Sequence, residues 1–293
     1  MTAVILGLIL GALAGATPLI FAALGGLCSE RAGVINLALE GFMLVGAFGA
    51  VLVTYVTGSP LAGLIGAVIA AAVFALVYAF LCLDLRADQI VAGIVMNLLA
   101  AGICAFLVKR IWNISQNSPP VEKLFSIPIA FGDFRREISI LVPVAFVAVI
   151  VVWFILRRTV FGLNLRAAGE DPSALVATGV SPRRVRYFAL LCSGILCGLG
   201  GAFLSIGYLN QFMTTITHGR GFIAIAALIM GNWRPVRTAA ACLLIGAAYE
   251  AGYALTGFGV PEEVWRMLPY VLTIVVLCVF NIAVRPPRAL GRF

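Results

Sequence analysis

The chain has 293 residues, of which 62% are hydrophobic and 11% charged, and its formal net charge is +8. A water-soluble domain carries about 25% charged residues, so this composition, with a mean hydropathy of +1.11, excludes that class in favour of a polytopic membrane protein. The excess charge is almost all arginine, Lys109 and Lys123 being the only lysines; with no interleaved aromatic residues it reports membrane orientation, not nucleic-acid binding.

A membrane span needs about 20 apolar residues. By that measure the sequence predicts an all-α polytopic fold of nine transmembrane helices, in a range of eight to ten, at 3–28, 34–56, 60–83, 89–108, 138–156, 187–209, 221–232, 237–257 and 264–284. The seventh is short for a full crossing. The first has no basic n-region before it and is expected to be retained, not cleaved as a signal peptide. Placing 157–186 in the cytoplasm and alternating from there puts thirteen Lys and Arg inside and seven outside. The N-terminus is then outside and the C-terminus cytoplasmic.

In the first span Gly7, Gly11 and Gly15 share one helix face, which serves either helix packing or dimerisation. Gly194 and Gly198 repeat that spacing. Cys28, Cys82, Cys104, Cys192, Cys197, Cys242 and Cys278 are odd in number and lack a CxxC pair. They read as small packing residues, with no disulfide framework and no zinc site.

Next comes SERAGVINLALEGFMLVG, Ser29 to Gly46. Asn36 and Glu40 are four apart and would share a helix face. A carboxylate inside a span faces a cavity or a partner; for Glu40 that is either the pathway or a backbone amide of a neighbouring broken helix. Gly33, Gly41 and Gly46 let this helix bend or break. Asp84, Arg86 and Asp88 form a tight turn read as a solvated cap. Asn97 lies mid-span, as a packing hydrogen bond or a cavity-lining group. The stretch 109–137 is too long for a simple connector; it is an external loop that either holds a short partner-receiving element or is merely solvated.

The stretch from Arg157 to Arg186 holds eight charged residues in 30 positions, six of them arginine. Asp171 can cap a helix, Pro172 fits the first helical position, Ser173 to Thr178 supply one or two turns, and Gly179 can end them in the left-handed conformation. So short a helix is marginal in water and needs a partner surface. With Ala174, Leu175 and Thr178 along one side it would dock helix-in-groove, and Arg183, Arg184 and Arg186 would hold the loop base at the anionic inner leaflet. The plainer alternative is a capped turn between helices.

Asn210 to Gly221 follows the sixth span; its His218, the only histidine, reads as an exposed loop residue. Gly221-Phe222-Ile223-Ala224-Ile225-Ala226 echoes Gly33-Val34-Ile35-Asn36-Leu37-Ala38, and the two would enter the membrane from opposite sides, as in an inverted repeat. Glu250 is a second intramembrane carboxylate. Trp265 and Tyr270 fit an interfacial belt. Asn36, Glu40, Asn97, Asn210, Gln211 and Glu250 are the candidate pathway residues.

Three stretches carry a resemblance: AGVINLALEGFMLVGA, LRAAGEDPSALVATGVSPRRVRYFALLCSGILCGLGGAFLSI and GFIAIAALIMGNWRP. In this order and spacing they resemble the permease subunits of bacterial ABC importers of the branched-chain amino acid, ribose and nucleoside group. SERAGVINLALEG is closest to the branch serving nucleosides, often annotated for simple sugars. The resemblance covers nearly the whole chain, residues 1–293 as a single transmembrane permease domain in the bacterial inner membrane. It implies two cytoplasmic ATP-binding subunits, a second permease chain (the same or a sister) and an external substrate-binding protein. It implies that Gly169, Glu170, Asp171, Pro172, Ala174, Leu175, Thr178 and Gly179 form the coupling element that docks on the ATPase, and that AGVINLALEG is a broken helix near the central pathway. Relatives of the ribose type often carry one more N-terminal helix.

The chain lacks GxxxxGK[ST], the loop that cradles phosphates, and shows no nucleophile with its base and no metal cluster. It reads as a permease without its own ATPase site, cofactor or metal. The rival reading is an ion- or proton-coupled carrier using Glu40 and Glu250, and a membrane-embedded enzyme comes third. Few charges in the pathway suit an uncharged or weakly polar solute, such as a nucleoside or simple sugar, and leave amino acids open.

Overall fold

The computed structural model describes residues 2–114, 116–131, 134–255, 264–265, 267–279 and 285–292. Its elements run α1 (Thr2–Arg31), α2 (Leu39–Thr57), α3 (Pro60–Leu83), α4 (Gln89–Trp112), β1 (Ser126–Phe131), β2 (Phe134–Ser139), α5 (Leu141–Arg158), α6 (Val160–Glu170), α7 (Pro172–Ala177), α8 (Pro182–Ala202) and a π-helical turn (Phe203–Leu209) that continues α8. Then come α9 (Arg220–Met230), α10 (Pro235–Ala254) and α11 (Leu268–Val279). Among the described residues six helices are long and apolar enough to cross a bilayer: α1 to α5, and α8 with its π-helical end. The chain is a polytopic helical membrane protein. The 11 residues of α9 reach only about 16 Å, roughly half a hydrocarbon core of about 30 Å.

Helices α1, α2 and α8 form the core. Phe21, Leu24 and Leu27 of α1, Phe42 and Met43 of α2, and Leu190 and Cys197 of α8 are buried. Helices α3, α4 and α5 turn apolar faces outward, with Ile65, Ile69, Leu98, Phe106 and Ile150 exposed. Such a surface is a liability in water and the ordinary lipid-facing side in a bilayer. Five of the seven cysteines are buried, Cys192 is half-buried and Cys278 exposed; all are free thiols.

Small residues set the closest approaches. Helix α1 packs along α10, where a Cβ on Gly246 would come within 2.6 Å of the Ala12 carbonyl oxygen. Helix α8 packs along α3, where a Cβ on Gly198 would meet the Ala67 carbonyl at 2.7 Å. The Gly11 and Gly15 face of α1 lies against Glu250 and Gly246. It is therefore a packing seam within the chain. The GxxxG spacing in α8 has the same use.

Four expectations need correction. The chain is not all-α: β1 and β2 pair as an antiparallel hairpin, with Ile127 opposite Ile138. In a two-stranded sheet both strands are edges, so Pro128 is tolerated. The second helix begins at Leu39, not at 34, leaving 34–36 without regular structure and 37–38 in a turn. Asn36 and Glu40 therefore do not share a helix face. The sixth span begins at Pro182, so Arg183, Arg184 and Arg186 lie in the first turns of α8 and not in the preceding loop. The fourth also runs further, to Trp112, with Lys109 and Arg110 in its last turn, where cations suit the helix dipole. Residues 256–263 and 280–284, which include ends of the expected eighth and ninth spans, lie outside the described residues.

Candidate functional site

The break before α2 exposes backbone groups that hydrocarbon cannot satisfy, so other polar groups must. Gly33 turns the chain with φ +91°. The Ile35 amide donates to Gln89 Oε1 (2.7 Å), and Tyr78 Oη donates to the Ile35 carbonyl (2.7 Å). Asn97 Nδ2 donates to the Leu37 carbonyl (2.8 Å), while Asn97 Oδ1 accepts from the Gly41 amide (2.8 Å). Asn36 is fully buried; its Nδ2 donates to Ser193 Oγ (3.0 Å) and its Oδ1 accepts from the Ala38 amide (3.1 Å). Three elements thus hold the unwound stretch in one shape.

Glu40, in the first turn of α2, reaches the start of α9. Its Oε1 accepts from the Gly219 amide (2.8 Å) and its Oε2 from the Gly221 amide (2.6 Å). A helix N-terminus leaves its first amides without acceptors and carries partial positive charge. The Glu40 carboxylate answers both, and Gly219 takes φ +75° to present its amide. Asn36, Glu40 and Asn97 thus gather around the break.

The other three polar candidates lie elsewhere. Asn210 (φ +54°) ends the π-helical turn, and its carbonyl accepts from the Val121 amide (2.8 Å). Gln211 follows it, half-buried. Neither lines the cavity of about 370 Å³ that lies between the π-helical turn, the 213–220 stretch, α10 and α11. Tyr208, Tyr249, Trp265 and Tyr270 line it, with Arg220 and His218. A smaller hollow of about 60 Å³ shares Tyr208, Arg220 and Tyr249, and brings in Glu250 and the Gly11–Gly15 face of α1. The Arg220 guanidinium sits 5.5 Å from the Tyr249 ring centroid and donates to the Ile216 carbonyl (3.0 Å). Sequence reasoning missed Arg220, Tyr208 and Tyr249. Arg220 counted only as a loop cation, and scattered aromatic residues carry no spacing signal.

At the Pro182 end of α8 the capped segment forms as its local signals predict. Asp171 Oδ1 accepts from the Ser173 and Ala174 amides, each at 3.1 Å, and from the Ser173 hydroxyl. The Ser173 hydroxyl and these two amides hold the Asp171 carboxyl below the usual carboxylate range. Gly179 takes φ +81°. Ala174 and Thr178 are exposed, but Leu175 is only 3% exposed and packs within its own chain. It is unavailable to a docking groove; Val176, 60% exposed, is the apolar side chain α7 presents. Here the partner surface needed by a short helix is supplied by α6 and α8.

Behind α7, several strands of chain are tied together. Arg186, also buried, donates to the carbonyls of Ala32 (3.1 Å) and Ala168 (3.4 Å). It is withdrawn from any lipid headgroup, because two orphan carbonyls claim it. The Ala289 amide donates to the Gly169 carbonyl (2.8 Å), and the Gly291 amide to the Gly33 carbonyl (3.0 Å). Glu170 pairs with Arg31 (3.9 Å) and accepts from the Arg288 amide (3.4 Å). Trp233 Nε1 donates to Glu30 Oε2 (2.6 Å). Asp84 is more than a solvated cap, since it pairs with Arg183 and accepts from Tyr187 Oη.

Residues 5–277 match the family described as branched-chain amino acid transport system / permease component. The chain belongs to this family. Among curated relatives, the permease is 36% identical to the guanosine ABC transporter permease protein NupQ of Bacillus subtilis, over 94% of this chain and 92% of that one. It is 34% identical to the nucleoside ABC transporter permease protein NupC of Lactococcus lactis, with the same coverage of 94% and 92%. A putative glucose ABC transporter permease protein of Haloferax volcanii is 37% identical over 82% of this chain and 75% of its own length. No solved structure matches the permease. The permease is a subunit of an ABC transporter, and its three notable regions are the capped α7 segment, the break and the cavity.

Proposed function

We propose that the permease forms the translocation pathway of an ATP-driven importer of nucleosides. The reading takes residues 1–293 as one transmembrane domain in the bacterial inner membrane, crossing about nine times, with the N-terminus and the 109–137 loop outside. The 157–186 loop and the C-terminus face two ATP-binding subunits. A second permease chain, the same or a sister, completes the pathway, and an external binding protein delivers the solute. The nucleoside relatives support the substrate class, with a simple sugar as the neighbouring possibility.

The observation that carries the reading is the link between dock and break. Gly169, at the foot of α7, and Gly33, at the start of the break, are both bonded to the 289–291 segment, and Arg186 bridges Ala168 to Ala32. A push on α7 therefore reaches the unwound segment through backbone hydrogen bonds. The residues proposed for the dock are Gly169, Glu170, Asp171, Pro172, Ala174, Thr178 and Gly179, with exposed Val176 in the contact and Leu175 as its internal anchor. The matched packing of α1 on α10 and α8 on α3 supports an inverted repeat of α1–α4 and α8–α11.

The test is reconstitution with the ATPase and the binding protein. Val176→Asp and, separately, Gly179→Val, which resists positive φ, should release the ATPase on purification or uncouple hydrolysis from guanosine uptake. Full binding and full coupling in both variants would return the segment to a connector. Uptake by the permease alone, driven by a proton or sodium gradient, would instead favour a carrier working through Glu40 and Glu250.

A further inference from the structure

The aromatic cavity has no role in the coupling described above. Resting on the nucleoside-importer reading, we propose that it is the permease's own binding site for the base of a nucleoside. Its volume of about 370 Å³ falls within the range of roughly 300–1,000 Å³ typical of small-molecule sites. Rings from three places converge there: Tyr208 from the π-helical turn, Tyr249 from α10, and Trp265 and Tyr270 around the start of α11. Tyr208 is itself backed by Phe203, stacked at 6.2 Å, which fixes its plane. π-helical turns recur at functional sites, and this one delivers Tyr208 to the cavity wall.

The polar groups select the ligand. The Trp265 Nε1 atom is buried and has no hydrogen-bond partner among the described residues, so an acceptor on the ligand would complete it. Arg220 brings donors that match ring-nitrogen and carbonyl acceptors such as N7 and O6 of a purine. Glu250 adds a carboxylate to the wall of the adjoining hollow. A hexose places hydroxyls all round its ring and would need several carboxylates, side-chain amides or aliphatic hydroxyls. Among the described residues, the lining of the two hollows contains one carboxylate, no amide and no serine or threonine. Flat aromatic faces with few polar groups favour stacking, which every nucleobase provides.

The experiment uses the complete complex in lipid nanodiscs, first without its binding protein. Guanosine should quench tryptophan fluorescence saturably, glucose and leucine should not, and Trp265→Phe should remove the quenching. Tyr208→Leu and Arg220→Gln should weaken guanosine binding by about tenfold to a hundredfold, the loss expected for one stacking partner, while the subunits still co-purify. If a variant fails to assemble, the Trp265→Phe titration decides. Should the wild-type complex import guanosine yet show no such quenching, or should Tyr208→Leu bind as well as wild type, the site is overturned and the importer reading stands. Import of glucose or leucine in place of nucleosides would overturn both.

Discussion

The two ends of α8 are built differently. At its Pro182 end, α1, α6, the 231–234 turn and the 285–292 segment are joined by main-chain hydrogen bonds and by Arg186 and Glu30. At its Leu209 end the helix loosens into a π turn and borders open space between aromatic rings. Interiors that transmit displacement are close-packed and bistable, whereas a site that admits solute needs room and a few placed polar groups. The break, with Glu40 fastening α2 to α9, lies between the two regimes. In the proposed importer, a push at the dense end would pass through the break on its way to the hollow.

The largest expected effect attacks the dense end. A Cβ on Gly169 would collide with the Arg31 carbonyl oxygen, and the obstacle is backbone. Gly169→Val should destabilise the permease by about 1–3 kcal/mol, the range for overpacking. At the other end, Met213→Ala trims a wall that already borders open space and should cost less. Thermal unfolding of the two purified variants compares them. Equal losses would mean that the ends do not differ in rigidity.

Glu40→Gln tests the fastening between them. The amide keeps one oxygen for one backbone donor and loses the charge that suits the α9 terminus. The expected cost is about 1 kcal/mol, or roughly fivefold in any equilibrium that needs this cap. Uptake should fall by about that factor, with co-purification intact. Loss of the folded protein would make Glu40 purely structural, and unchanged uptake would remove it from the working path.

The regions differ in legibility for the same reason. The α7 cap could be read because Asp171, Pro172 and Gly179 act on their own neighbours. The resemblance put a broken helix at AGVINLALEG, but spacing alone could not bound the break, since 34–45 is mostly apolar and compatible with a helix, and what stops it is Tyr78, Gln89 and Asn97 from other helices. Glu40 was visible as an intramembrane carboxylate, but its partners Gly219 and Gly221 lie about 180 positions away. Leu175 looked like a docking residue because spacing shows a face without showing which surface covers it. The hairpin hid in a loop whose alternation is short and interrupted by Pro128. The cavity's rings come from separate elements and meet only in the fold.

The smallest effect concerns a dense-end contact that faces solvent. Asp171 caps α7 from an exposed position, and the Ser173 hydroxyl with the Ala174 and Ser173 amides lowers its pKa. A carboxyl whose pKa is depressed in the folded state contributes stability that is fully present above its unfolded pKa. That contribution is lost as pH falls through the folded value. Protection of the 173–177 amides from hydrogen exchange should therefore be flat near neutral pH and decline on acidification, once corrected for the intrinsic exchange rate. Asp171→Asn keeps an acceptor oxygen and caps about as well, so it should preserve the protection and remove its decline. Asp171→Ala should lose protection at every pH. A decline of the same size in Asp171→Asn would show that another group controls α7, and that the dense end is held by Leu175 and the Gly169 contacts without help from its cap.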